Sequence, residues 1–437
     1  MNITILGAGS RGRTAAERPA SSYRWVVLAF GILAYGASLF ARQNYAGIQK
    51  FIAADLHLDK AALGLLGSVF FYSYALFQMP WGIASDKWGS RGVTAIGVLL
   101  IAATMAGFAV SRNTAELLVW RTLSGIAGAA VYVAMSGGVA RWFPPAERGF
   151  SQTALGGIGG GAGESAAFFL LPAMSIYLAS GWRPATLMMA AAFAVLAVLC
   201  ALFLRSAPSS SAATREKAFD GALLADRRLW AYTFLFSSFI VAIRIVQPWI
   251  PAYAADVYVA RGLSTNRAVL QGGVLAAVAY SIGGRAIGCP LGGLASDAAL
   301  RAGVPRTTVA IVWLVLLIAF LAMLSRGVTT TLALGATAFL LGTATNSFSL
   351  ISAAIADTYG PERTASILAF VNMVAQFAGA TALAISGYAG ISLSSQVGNA
   401  LAEYRGIWLS AAAGVAVMLT LGVLILRGSP ESRQPVR

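Results

Sequence analysis

The sequence predicts an all-α integral membrane protein with twelve transmembrane helices in two pseudo-symmetric bundles of six. Three observations predict it. The first is composition: of 437 residues 58% are hydrophobic and 11% charged, with a mean hydropathy of +0.74. A water-soluble domain carries about 25% charged residues, so this chain has too few to cover a surface facing water. The second is an internal echo. Gly82-Ile-Ala-Ser-Asp-Lys-Trp-Gly-Ser-Arg-Gly92 returns as Gly293-Leu-Ala-Ser-Asp-Ala-Ala-Leu-Arg301, and Pro145-Ala-Glu-Arg148 returns as Pro361-Glu-Arg363. Asp86 and Asp297 are 211 positions apart (297 − 86), and Glu147 and Glu362 are 215 apart (362 − 147). Two motifs recurring in the same order at nearly one offset indicate two homologous halves. The third is the distribution of the net charge of +15. With the amino terminus in the cytosol and sides alternating, about 19 Lys and Arg fall in cytosolic segments and about 8 outside, as the positive-inside rule requires.

A helix needs about 20 apolar residues to cross a bilayer. The first six segments that qualify are 23–48, 61–84, 92–111, 114–140, 149–178 and 185–205. The second six are 229–257, 267–295, 307–325, 329–356, 364–389 and 404–427, and short polar or Gly/Pro-bearing stretches separate the spans. An even number of spans puts both ends on one side. The longest interruption, 206–228, begins Ser-Ala-Pro-Ser-Ser-Ser and continues through Thr-Arg-Glu-Lys to Asp-Arg-Arg. It reads as a flexible charged cytosolic linker between an amino-terminal bundle, 23–205, and a carboxy-terminal bundle, 229–427. Residues 1–22 lack a long apolar core with a cleavage site and read as a cytosolic tail, not a signal peptide; 428–437 form a second tail. The 47 glycines suit close helix packing in lipid. Cys200 and Cys289, the only cysteines, lie in apolar runs and offer neither a disulfide framework nor metal-ligand spacing.

These motifs resemble the major facilitator superfamily over essentially the whole chain. Gly82 to Gly92 is similar to that family's Gly-x-x-x-Asp-x-x-Gly-x-Arg loop between helices two and three, and Arg121-Thr-Leu-Ser-Gly125 resembles its helix-four motif. The resemblance implies an alternating-access transporter with its substrate site between the halves. Arg42-Gln-Asn44-Tyr45, and Arg244 ahead of Trp249-Ile-Pro251-Ala-Tyr253, resemble the arginine motifs of organophosphate–phosphate antiporters. Gln78-Met-Pro80-Trp-Gly82 and the run Trp142 to Gly149 resemble the anion–cation symporter branch, whose substrates are sugar acids and other organic carboxylates. The chain departs from both. Ala41 stands where the symporters carry Asp before the helix-one Arg, Gly128 replaces a helix-four Glu, and Gln78 replaces the antiporters' helix-two Lys.

Four arginines, Arg42, Arg121, Arg244 and Arg285, lie inside expected spans, where a charge facing lipid costs a few kcal/mol or more and must find a cavity or partner. Arg42 and Arg244 occupy corresponding helices, one and seven. Two guanidiniums facing each other repel unless an anion lies between them, and their planar fork suits carboxylate or phosphate. Both are assigned to the substrate site, with Arg285 as a third ligand and Tyr45, Tyr72, Gln78, Asn346 and Asn372 as uncharged neighbours; Tyr35, Tyr74 and Gln376 are further polar candidates for the cavity wall. Glu164, the only acidic residue deep in a span, is either a proton carrier or the permanent partner of a buried arginine. Asp86 and Arg91 are expected to pair as a cytosolic latch, with Asp297 as its degraded second copy and Arg121 in a packing role near the same gating machinery. His57 reads as an exposed histidine of the outer loop between helices one and two.

The function expected is secondary transport of a small organic anion, a carboxylate or sugar acid, with protons or a counter-anion as the coupling partner. The lipid bilayer, here a bacterial inner membrane, is its other partner, and a monomer is expected. No cofactor or metal is called for. Basic residues scattered over short loops argue against nucleic-acid binding, and a span lacking His or a carboxylate pair argues against an enzyme. An organophosphate–phosphate antiporter is the alternative. A drug-efflux pump is a further one, although intramembrane arginines outnumber acids.

Overall fold

The computed structural model describes residues 22–144, 147–206, 221–344, 347–393 and 400–427. The expected tails 1–21 and 428–437, the linker core 207–220 and the candidate Asn346 lie outside the described residues.

Helix α1, Tyr23–Leu56, runs well past the span expected from hydropathy and ends where His57 takes a left-handed conformation, φ 53°. The stretch 60–110 is helical almost throughout, with Asp59 capping its start by accepting from the Ala62 N–H at 2.8 Å. Its 51 residues make about 76 Å of helix, more than twice a hydrocarbon core of about 30 Å. The break is Gly89 alone, at φ 78° and ψ 156°, a conformation closed to residues bearing a Cβ. The expected glycine-rich loop is therefore a single-residue kink between α2 (60–88) and α3 (90–110). Helix α4, Thr114–Trp142, is capped by Asn113 and Glu116. Helix α5 (148–177) contains a π-helical segment, Ala154–Gly159, and α6 is Trp182–Phe203.

The second half begins at Asp226, which caps α7, Arg227–Ala260, by accepting from the Arg228 N–H at 2.8 Å and from the Tyr359 hydroxyl at 2.6 Å. Helix α8, Thr265–Arg301, carries thirteen consecutive π-helical residues, Ala276–Gly288. Helix α9 is Arg306–Ser325. Within the expected span 329–356 the described helical stretches are α10 (Thr331–Ala344) and α11 (Ser347–Tyr359), with 345–346 between them outside the described residues. Helices α12, Pro361–Ser392, and α13, Ala400–Arg427, complete the bundle. Among the described residues ten helices are long and apolar enough to cross a membrane. The kinked 60–110 helix holds two crossings, and α10 with α11 fills the remaining one.

The two ends of the bundle differ. At the end carrying the Gly89 kink, the polar contacts among the described residues stay within a half: Tyr23 donates to the Phe203 carbonyl, Arg24 pairs with Glu147 at 2.9 Å, and Arg306 reaches Asp297 at 3.4 Å. At the opposite end they cross between the halves. Lys50 pairs with Asp256 and Lys60 pairs with Glu403 at 2.8 Å, while Tyr404, from the same half as Asp256, donates to that carboxylate at 2.9 Å. There α2 and α12 touch backbone to backbone, since a Cβ on Gly387 would lie 2.4 Å from the Lys60 carbonyl oxygen. Helices α1 and α7 run through the centre, buried without interruption over 37–49 and 235–255. Those two runs contain Arg42 and Arg244.

Candidate functional site

Both central arginines are buried, Arg42 with 7% and Arg244 with 5% of its surface exposed. Their cations lie over one aromatic ring, Phe71 of α2. The guanidinium carbon of Arg244 is 4.0 Å from its centroid and that of Arg42 is 5.9 Å away, so the two are at most 9.9 Å apart (4.0 + 5.9). Arg42 also lies 4.7 Å from the Tyr74 ring centroid. Aromatic faces attract a cation weakly, by about 0.5–2 kcal/mol, which is far less than the cost of burying one.

Their polar partners differ. Arg244 donates from Nε to Gln376 Oε1 at 3.0 Å and from Nη1 to Gln247 Oε1 at 3.2 Å. Both acceptors are neutral amides. The Nε and Nη2 atoms of Arg42 are buried without a hydrogen-bond partner. A buried unpaired donor on a charged group costs at least about 1–3 kcal/mol, so Arg42 presents a high-energy, anion-seeking surface.

The other two ionisable groups meet. Glu164, fully buried on α5, accepts from Arg285 of α8 through Oε2 and from Gln247 of α7 through Oε1, the latter at 2.5 Å. Of the two sequence alternatives for Glu164, the ion-paired one is what this conformation presents. Both donors belong to the second half of the chain and Glu164 to the first, so the carboxylate straps the halves together at the depth of the arginines. Wide π-helical turns precede Glu164 by one turn and enclose Arg285; such insertions shift side chains out of the regular helical register.

A neutral relay extends from the other side of Arg244. Gln376 donates to Asn372 Oδ1 at 3.2 Å, and Asn372 donates to Gln78 Oε1 at 3.5 Å. The Tyr72 and Thr381 hydroxyls share a hydrogen bond of 2.7 Å along the same contact of α2 with α12. Gln78, Asn372, Gln376, Arg244, Gln247, Glu164 and Arg285 thus form one chain of side chains that crosses between the halves three times, at Gln78–Asn372, Gln247–Glu164 and Glu164–Arg285.

Other expected site residues lie elsewhere. Arg121 is 1% exposed and donates to the Leu66, Ala41 and Arg42 carbonyls and to Asn44 Oδ1, at 2.8–3.3 Å. It also sits 4.6 Å from the Tyr45 ring and 4.8 Å from Phe70. All its nitrogens are used in fixing α4 to α1 and α2, and Tyr45 packs on it, away from Arg244. The expected Asp86–Arg91 pair does not form. Arg91 donates to the Ala201 carbonyl, 2.9 Å from Nε, while Asp86 meets Arg141 at 3.4 Å. The Gly89 kink between them sends the two side chains to different neighbours. Asp297, the second copy, pairs with Arg306 and not with a residue inside its own motif. Trp249 and Tyr253 of the expected helix-seven motif are structural, donating to Ser386 Oγ at 3.1 Å and to the Val328 carbonyl at 2.9 Å.

Sequence reasoning missed Gln247 and Phe71. Gln247 carried a signal, since it is three residues after Arg244 on one helix face of an otherwise apolar run. Phe71, one of 22 phenylalanines, carried none.

Comparison with known proteins gives a match to the Major Facilitator Superfamily over residues 31–382. A probable sulfoacetate transporter of Cupriavidus necator is 26% identical over 294 residues, covering 63% of this chain and 65% of that protein. A hexuronate transporter of Bacillus subtilis is 25% identical over 288 residues, covering 62% and 64%. The chain thus spans slightly less than two thirds of either relative. Among solved structures, a bacterial homologue of the human lysosomal transporter Spinster, inward-facing and unoccupied, superimposes with a TM-score of 0.76 at 18% identity, covering 93% of this chain and 98% of that one. That likeness concerns the fold.

Proposed function

The chain belongs to the Major Facilitator Superfamily, a multi-pass membrane transporter family, and from that premise we infer that it is a secondary transporter of a small organic anion. The observation that carries the reading is the pair of buried guanidiniums from opposite halves, with no carboxylate on either and with two donors of Arg42 unused. In a low-dielectric interior such charges demand an anion. The relatives named for sulfoacetate and for hexuronate carry organic anions, which supports a carboxylate or sugar acid here.

In this mechanism Arg42 and Arg244 bind the anion between them, with Gln78, Asn372 and Tyr72 beside it. Residues 23–205 rock against 229–427, exposing the site to each side of a bacterial inner membrane in turn, with both chain ends in the cytosol. Glu164 couples a proton. Protonation removes its charge and loosens the strap between α5 and α8, deprotonation restores it, and Arg285, expected as a third anion ligand, stays the partner of Glu164 when the anion binds.

A thermal-shift screen of purified protein against carboxylates, phosphate esters and organic cations, followed by uptake in vesicles, tests the reading. A ligand that binds only the folded state raises Tm. Carboxylates are expected to raise Tm in the wild type and not in Arg42→Gln or Arg244→Gln. Uptake by either variant should fall about 100-fold, equivalent to about 2.7 kcal/mol, although both still insert. Normal uptake by both variants, or stabilisation by cations alone, would overturn the assignment.

A further inference from the structure

Resting on the anion-transport reading, we propose that the substrate is a dianion. The charges around Phe71 carry the inference. Of three guanidiniums there, Arg285 pairs with the one carboxylate, Glu164, Arg244 reaches it only through Gln247, and Arg42 shares the Phe71 ring with Arg244. Glu164 is already engaged with Arg285. Arg244 is held by the neutral oxygens of Gln247 and Gln376, which orient its fork and leave its charge uncancelled. Arg42 has two buried nitrogens with no acceptor. Arg121 also lacks a carboxylate, but four acceptors and two rings occupy its guanidinium, leaving no donor for a ligand. Two uncancelled positive charges therefore remain within 9.9 Å of each other, the sum of their distances from the Phe71 centroid.

A monoanion leaves one of these charges buried and repelling the complex, whereas a dianion cancels both. The site consequently selects on charge before shape, and a ligand of one charge fewer loses an interaction that water cannot replace. The two charges can come from a short molecule with an acidic group at each end or from one phosphate monoester; both satisfy the count.

The test is isothermal titration of the purified full chain with α,ω-dicarboxylates of three to six carbons. Each is compared with its own monomethyl half-ester, which keeps length and hydrogen-bonding atoms and removes one charge. A phosphate monoester and the matching monoanionic diester form the second arm. At one or more lengths, or in the phosphate arm, the dianion is expected to bind at least tenfold tighter with a stoichiometry of one. Arg42→Gln is expected to bring that ratio below threefold, chiefly by weakening the dianion. The arm in which the preference appears identifies the source of the charge. Half-esters binding within twofold of their diacids at every length, together with an indifferent phosphate arm, would overturn the dianion while leaving an anion carrier standing. Two half-ester molecules bound per protein would overturn it as well. If no anion of either series binds, the anion reading falls with it.

Discussion

The backbone contact between α2 and α12 gives the most direct way to move the conformation by design. A Cβ on Gly387 would stand 2.4 Å from the Lys60 carbonyl oxygen and 3.1 Å from the Ala61 Cα. Neither obstacle is a flexible side chain, so Gly387→Ala forces the helices apart by about 1 Å to restore an ordinary van der Waals separation of about 3.5 Å. Overpacking of this kind costs about 1–3 kcal/mol, and the cost falls only on the conformation in which the helices cross here. The other conformation, in which this end of the bundle opens, escapes it. The equilibrium between the two should therefore shift about 5- to 150-fold towards opening. Spin labels at the exposed positions 112 and 326, one in each half, report the change as a longer distance by electron–electron resonance, after Cys200 and Cys289 are replaced. Gly335→Ala is the control, because a Cβ added there would have nothing within 4 Å. A distance distribution in Gly387→Ala identical to that of the control would refute the claim that this contact seals the end opposite the Gly89 kink.

Two further substitutions separate coupling from architecture. Glu164→Gln removes the charge that straps Arg285 and should reduce proton-driven net uptake at least tenfold while exchange of substrate for substrate persists; proton-driven uptake at the wild-type rate would eliminate Glu164 as the carrier. Arg121→Gln strips charged hydrogen bonds from α1 and α2, worth about 1.5–3 kcal/mol each before relaxation, and should lower Tm by roughly 5–10 °C. Asp86→Asn breaks only a pair whose aspartate side chain is 78% exposed, worth at most about 1 kcal/mol, and should move Tm much less; equal losses from the two would contradict the buried role of Arg121.

What the sequence made legible and what it hid divide along a physical line. Spans are legible because a bilayer imposes length and apolarity, and a charge inside a span announces itself because its cost has to be met. Arg42, Arg244, Arg285 and Glu164 were therefore visible as a set. Which of them meet was not, because helix rotation and the wide π-helical turns of α5 and α8 decide that, and hydropathy is insensitive to both. The same limit applied to Asp86 and Arg91, whose separation of five residues suggests a pair. One positive φ at Gly89 redirects them to Arg141 and to the Ala201 carbonyl. Tyr45 looked like a site residue because polar groups in spans draw attention, yet its ring lies on Arg121, whose guanidinium, with every nitrogen on a backbone or amide oxygen, is the packing bolt expected of it.

The placement of the strap bears on how binding and movement are connected. Glu164 and its donors Gln247 and Arg285 come from opposite halves, and Gln247 also holds Arg244. Any ligand that draws Arg244 towards itself pulls on Gln247, and through it on the carboxylate that joins the halves. Conversely, opening the contact of α5 with α7 and α8 removes an acceptor from Gln247 and releases its hold on Arg244. In the proposed site, then, no separate relay is needed to carry information from substrate to domain movement. The groups that would recognise the anion are hydrogen-bonded to the groups that hold this conformation together, and a ligand with stronger claims on the guanidiniums than Glu164 and Gln247 have must change the balance between the two conformations.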